Sequence, residues 1–144
     1  MRQIMTALLA VAVGIAGCAS TPANQGYPKE ILLGVFEGRL PCADCPGIDT
    51  RLTLTQEGKY VDIGHFTLKQ TYLDRSVQPL ESRGEWTVIK GTAQDDNAVV
   101  YELRPGPSKR ILYFLKMGDR KVKLLDKDGN EIDPQLDFSL SRVQ

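Results

Sequence analysis

Arg51-Leu52-Thr53-Leu54-Thr55 and, eleven positions further on, Phe66-Thr67-Leu68-Lys69-Gln70-Thr71-Tyr72 alternate apolar and polar side chains. A period of two puts alternate residues on opposite faces of an extended chain, so Leu52, Leu54, Phe66, Leu68 and Tyr72 face a core while the threonines and Lys69 face water. The same pattern recurs on either side. Trp86 and Val88 alternate with Glu85 and Thr87; Val99, Tyr101 and Leu103 form a set; Val122 and Leu124 alternate with Lys121 and Lys123; Leu136, Phe138 and Leu140 alternate with Asp137, Ser139 and Ser141. Ile111-Leu112-Tyr113-Phe114-Leu115 is apolar on both faces, so its outer side needs a cover. Turn residues break these runs at Gln56-Glu57-Gly58, Lys90-Gly91, Pro105-Gly106-Pro107, Gly118-Asp119 and Asp128-Gly129-Asn130. No window has a helical period. The expectation is an all-β chain of about eight to ten short antiparallel strands that closes into a small up-and-down barrel, because closure removes exposed edges. Gly34, Gly38, Gly64 and Gly84 lie in or beside strand patterns and are expected to mark bulges or bends of the wall.

The N-terminus reads differently. Met1-Arg2-Gln3 supplies a positive start, and Ile4 to Ile15 is apolar apart from Thr6 and Gly14. A spanning helix needs about 20 apolar residues, so this run fits a signal-peptide core. It ends in Ile15-Ala16-Gly17-Cys18, which resembles the lipobox of bacterial lipoproteins. The resemblance implies removal of residues 1–17 and lipidation of Cys18, each buried CH₂ of the acyl chains contributing about 0.8 kcal/mol to anchoring. Ala19, where Asp would favour inner-membrane retention in enteric bacteria, implies an outer-membrane protein facing the periplasm. Residues 18–30 are mostly small and polar and read as a flexible tether. Residues 31–144 then form one domain of roughly 115 residues, enough for a single core. Eighteen Lys and Arg balance eighteen Asp and Glu, and no basic stripe marks a nucleic-acid partner.

Chemistry concentrates in Leu40-Pro41-Cys42-Ala43-Asp44-Cys45-Pro46-Gly47-Ile48. With Cys18 assigned to lipid, Cys42 and Cys45 have each other or a metal as partners. Two thiolates suit Cu(I), whereas zinc asks for four ligands and a second cysteine pair is missing. Third-ligand candidates are His65, Met117 and Asp44, the last a hard oxygen donor poorly matched to Cu(I). An oxidising compartment favours a disulfide instead, and the two states interconvert with redox conditions. A thiol–disulfide enzyme would place the pair at a helix N-terminus, but Pro46-Gly47 and strand patterns surround it here. One histidine and no G-x-S-x-G leave no catalytic constellation, so no enzyme is expected. Asp126-Lys127-Asp128-Gly129-Asn130 has part of a calcium loop but no helical flanks and reads as a hairpin turn. Lys121, Lys123 and Lys127 read as a solvated face, and Trp86 as a filler of one barrel end rather than a ligand platform.

Gly38-Arg39-Leu40-Pro41-Cys42-Ala43-Asp44-Cys45-Pro46-Gly47-Ile48, followed by Thr50, Leu52, Thr53 and Leu54, resembles the signature of the NlpE family of envelope lipoproteins. Tyr72, Gly84-Glu85-Trp86 and Leu124-Leu125-Asp126-Lys127-Asp128-Gly129 support it, and the likeness covers most of Val35 to Arg142. It implies a lipocalin-like barrel, a part in copper tolerance, surface adhesion and envelope stress signalling, and an envelope stress-signalling protein as partner. Long members carry a second, OB-like domain with its own cysteine pair; this chain ends at Gln144, so no function of that domain is expected of it. Cys42 and Cys45 carry over as the redox or Cu(I) pair, and Cys18 as the lipid site. The alternative is a carrier whose barrel binds a small apolar ligand while the cysteines staple a loop.

Overall fold

The alternating stretches form a wall. In the computed structural model, which describes residues 29–144 apart from 61 and 76, eight strands follow one another: β1 (Glu30–Leu40), β2 (Ile48–Glu57), β3 (Ile63–Tyr72), β4 (Leu80–Lys90), β5 (Val99–Arg104), β6 (Leu112–Met117), β7 (Lys121–Leu124) and β8 (Ser139–Arg142). Each pairs antiparallel with the next, and β8 returns to β1 through Phe36 opposite Arg142, so the sheet closes into a barrel. Residues 1–17, expected to be a signal peptide, and Cys18 lie outside the described residues. The expected tether, 18–30, overlaps the wall at its end, because Glu30 already pairs with Glu57.

Twelve buried side chains from all eight strands pack into one interior cluster. Phe36, Leu52, Leu54, Phe66, Leu68, Trp86, Leu103 and Phe114 make most of it, with Val122 and Leu140 closing the ring from the short strands. Trp86 is fully buried; its indole Nε1–H donates to Thr55 O at 2.8 Å, and its ring meets Tyr101 edge-on at 5.4 Å. A tryptophan whose N–H is satisfied inside the wall is a core residue, as its sequence setting implies.

Two glycines let the wall turn. At Gly64 a Cβ would collide with the carbonyl oxygen of Thr55, and at Gly84 with that of Arg104. Gly64 lies opposite Trp86 in the ladder and Gly84 opposite Phe66, so each missing side chain faces a large ring across the strand pair. β1 carries a register shift between Leu32 and Gly34, the bulge expected of a barrel wall.

Two features differ from their sequence reading. β8 starts at Ser139, so Leu136 and Phe138 precede it and Leu136 stays 47% exposed. Asp133 and Asp137 take the local backbone instead, accepting from the amides of Gln135 (2.8 Å) and Ser139 (2.9 Å). Lys123 is no solvated residue: it bonds Glu131 at 2.7 Å with only 15% of its side chain exposed. On the outer surface Ile89, Val100, Leu115 and Lys123 stand in one cross-strand row, and Val100 is buried between its neighbours. The Lys123 stem and its ion pair at one end of that row help cover the apolar outer side of β6.

The meander sends alternate connections to opposite ends. Residues 41–47, 73–79, 105–111 and 125–138 form what we term the loop end. The chain enters at Lys29, leaves after Arg142, and makes its β2–β3, β4–β5 and β6–β7 turns at the other, the entry end. β1, eleven residues long, runs about 36 Å from one to the other along its own axis.

Candidate functional site: the Cys42–Cys45 loop

Leu40 opposite Ile48 is the last rung between β1 and β2, and residues 41–47 bulge beyond it at the loop end. Cys42 and Cys45 are joined there by a disulfide, their Cα atoms 5.3 Å apart. Both cysteines are half-buried, whereas Ala43, Asp44 and Pro46 are exposed. The sulfurs are therefore adjacent and at the surface, within reach of a reductant or an ion.

The neighbouring β3–β4 loop grips this one. The Leu73 amide donates to Gly47 O at 3.0 Å, and the Arg75 guanidinium bonds the Asp44 carboxylate. Arg75 also stands 5.9 Å from the centre of the Tyr72 ring, which fixes its direction. Asp74, beside it, takes a left-handed backbone (φ 56°), a conformation aspartate tolerates better than most residues. Asp44 Oδ1 lies 3.6 Å from Cys42 Sγ, so the cysteine ring, one carboxylate and one guanidinium form a single cluster.

The other candidate ligands are elsewhere. His65 is opposite Thr55 near the entry end, seven residues down β3 from Tyr72, about 23 Å along the strand. Its Nδ1 lies 2.9 Å from Glu30 Oε1, off the axis of an aligned hydrogen bond, and its Nε2 lies 3.4 Å from Glu57 Oε1. Met117 ends β6, also at the entry end, and is 44% exposed. Neither is brought to Cys42 and Cys45. Among the described residues no three His, Cys, Asp or Glu side chains converge as a metal site. Asp126 is a turn former: its Oδ1 accepts from the amides of Asp128 (2.8 Å) and Asn130 (2.9 Å). Those amides hold its carboxyl below the usual carboxylate range.

Residues 36–135 match the family described as the NlpE N-terminal domain. The chain belongs to the NlpE family. Lipoprotein NlpE of Escherichia coli (strain K12) is 32% identical over 111 residues, which are 76% of this chain and 40% of that protein. The 17 kDa lipoprotein of Treponema pallidum (strain Nichols) is 34% identical over 82 residues, 57% of this chain and 50% of that one. The chain thus spans half or less of the length of these relatives. The crystal structure of the Cpx pathway activator NlpE from Escherichia coli matches with 27% identity and a TM-score of 0.45, covering 73% of this chain and 48% of that one.

Sequence reasoning missed Arg75, Tyr72 and Leu73 as partners of the NlpE-family cysteine loop. Asp44 and Arg75 are 31 residues apart. Only the antiparallel pairing of β2 with β3 brings their loops to the same end, and no local pattern announces it.

Proposed function

We propose that this NlpE-family protein is a non-enzymatic lipoprotein of the outer membrane, anchored through Cys18 and facing the periplasm. Its Cys42–Cys45 loop reports redox or copper status to an envelope stress-signalling partner. The observation that carries this reading is the position of the disulfide: at the surface, on the end of the barrel opposite the chain's entry. An anchor before residue 29 leaves that end turned toward whatever shares the compartment. The Escherichia coli relative is a Cpx pathway activator, and both relatives are lipoproteins, which supports the same assignment.

The chemistry is a two-electron step. A dithiol reductant supplies two electrons and two protons, the S–S bond breaks, and Cys42 and Cys45 become thiols while the reductant closes its own disulfide. Loss of both thiol protons then gives two soft sulfur ligands suited to Cu(I). The residues present fit a site of two sulfurs and no more: Asp44 is a hard donor already engaged by Arg75, and His65 and Met117 stand at the other end. Copper would therefore bind to the reduced protein only.

A thiol titration with and without Cu(I), on oxidised and on reduced protein, tests this. Two thiols that disappear on adding one equivalent of Cu(I) are expected after reduction, and none before it. Unchanged Cu(I) affinity and unchanged stress signalling in Cys42→Ser with Cys45→Ser would sink the proposal. The carrier reading needs an internal cavity, and twelve packed side chains occupy that space.

A further inference from the structure

We infer that the entry end of the barrel is a membrane-seating surface, on which the folded domain rests against the bilayer that holds its anchor. The inference rests on the reading that Cys18 carries lipid, and it extends that reading from the anchor to the barrel itself. Large apolar side chains collect at the entry end although the core has no use for them. Ile31 (45% exposed), Leu32 (42%), Ile63 (41%), Met117 (44%) and Val143 (55%) stand there, and Tyr60, on the β2–β3 turn, is 61% exposed. They come from β1, from the turn between β2 and β3, from the first residue of β3, from β6 and from the chain exit, so they are spread over several elements rather than along one strand.

The occupant follows from chain length. Ten residues separate Cys18 from Lys29, a reach of at most about 40 Å when fully extended. Lys29 opens the entry end, so a slack tether already lets that end touch the bilayer. The loop end also exposes apolar residues, Val77, Leu80, Ile132 and Leu136. Bringing it to the same surface would require the tether to double back along the wall for about 28 Å, since β1, about 36 Å long along its own axis, tilts by about 40° as barrel strands do; that takes most of the tether's reach. Geometry therefore assigns the entry end to lipid and leaves the loop end free.

The chemistry of the face suits an interface. Tyrosine has an apolar body and a polar tip and collects where acyl chains meet headgroups. Cations at this end, among them Lys29, Lys59 and Arg120, are interspersed with acids that include Asp62 and, on the polar β4–β5 turn, Asp95 and Asp96. Attraction to anionic lipid is therefore not the driving term; apolar seating is, and zwitterionic headgroups suffice. Each side chain alone contributes little, but a tethered domain is already held near the surface, so a weak face is enough to orient it.

The test uses the full lipidated protein in phosphatidylcholine vesicles whose acyl chains carry bromine. Tyr60→Trp puts a fluorophore on the entry end and Leu80→Trp one on the loop end, each at an exposed site the fold does not need. Trp86, fully buried, supplies the common background. Tyr60→Trp is expected to lose about half or more of its added emission, as seating 5–10 Å into the interface requires, and Leu80→Trp almost none. Adding Ile31→Ser and Leu32→Ser should restore the Tyr60→Trp signal. Flotation of the protein with vesicles is read separately, against Cys18→Ser. Protein that floats but shows no quenching at position 60, or equal quenching at both positions, overturns the seating and leaves the anchor standing. Protein that does not float overturns the anchor and the seating together.

Discussion

The two ends of this barrel are closed by different means. At the loop end, a disulfide ties Cys42 to Cys45, and Asp44 pairs with Arg75 of the next loop. At the entry end the closure is made by backbone hydrogen bonds, such as Val35 N–H to Gln144 O at 2.9 Å, and by polar side chains, of which Arg142 makes the most contacts. Arg142, on β8, stands over the Phe36 ring at 5.8 Å and donates to three backbone oxygens: Leu33 O, Gln144 O at 3.0 Å and Asp119 O at 3.4 Å. One end is therefore held by a bond that electrons can open, the other by contacts that redox chemistry does not touch. The redox role proposed above would use that asymmetry, since the end that changes could do so without unfolding the wall.

The comparison presupposes a single core beneath both ends, and Trp86 is where to attack that premise. Trp86→Ala removes the largest buried side chain and its bond to Thr55 O, a change that typically costs about 3–5 kcal/mol. Thermal unfolding should shift down as one transition, with hydrogen-exchange protection falling at both ends together. Two separated transitions would mean that the ends are independent and that the comparison is mistaken.

Reducing the disulfide, or replacing it by Cys42→Ser with Cys45→Ser, should have a smaller and local effect. So short a ring constrains little of the unfolded chain, about 2 kcal/mol at most by loop-closure entropy. Amide exchange should speed up across residues 41–47 and at Leu73, whose N–H is bonded to Gly47 O, and should stay unchanged around Arg142. Acceleration at the entry end would break the claimed insulation. Arg142→Ala perturbs the entry end alone. Loss of the cation–π contact and the charge-assisted bonds should cost about 1–2 kcal/mol, given the exposure of the side chain. Thiol reactivity of the reduced loop should not move.

The parts that were legible in the sequence are those where a period of two runs undisturbed. β2 to β4 announce themselves through Leu52, Leu54, Phe66, Leu68 and Trp86, all of which face the interior. β1 does not: Ile31-Leu32-Leu33-Gly34-Val35-Phe36 has no alternation, because the bulge between Leu32 and Gly34 resets which side faces in. At β8, Asp133 and Asp137 capture backbone amides and keep Leu136 out of the ladder, a competition that apolar spacing alone does not register. The cysteine pair was legible as a pair because nothing but its spacing is involved. Its surroundings were not, since Arg75 reaches Asp44 only through the three-dimensional neighbourhood of two loops. The same limit explains why His65 and Met117 stood as candidate ligands: residue type suits copper, but topology sends both to the far end.

The smallest expected effect separates the ends by acid. Asp126 and Asp137 both belong to the loop end, and local hydrogen bonds hold both carboxyls below the usual range. Backbone amides of Asn130 and Asp128 act on the first; the Ser139 hydroxyl and amide act on the second. A carboxyl whose folded value is depressed stabilises the fold fully above its unfolded value, about 3.9, and that contribution disappears as pH falls through the folded value. As pH falls below about 3.9, then, the turn at Asp126 and the start of β8 should loosen while Arg142, bonded to backbone oxygens, keeps its contacts. In amide NMR spectra the resonances of Asp128, Asn130 and Ser139 should move first and follow the titration of their aspartates. Leu33 and the residues after Arg142 should hold their positions until the whole barrel unfolds. If both sets moved together from the start, the insulation between the ends would fail under acid, however well it held against reduction.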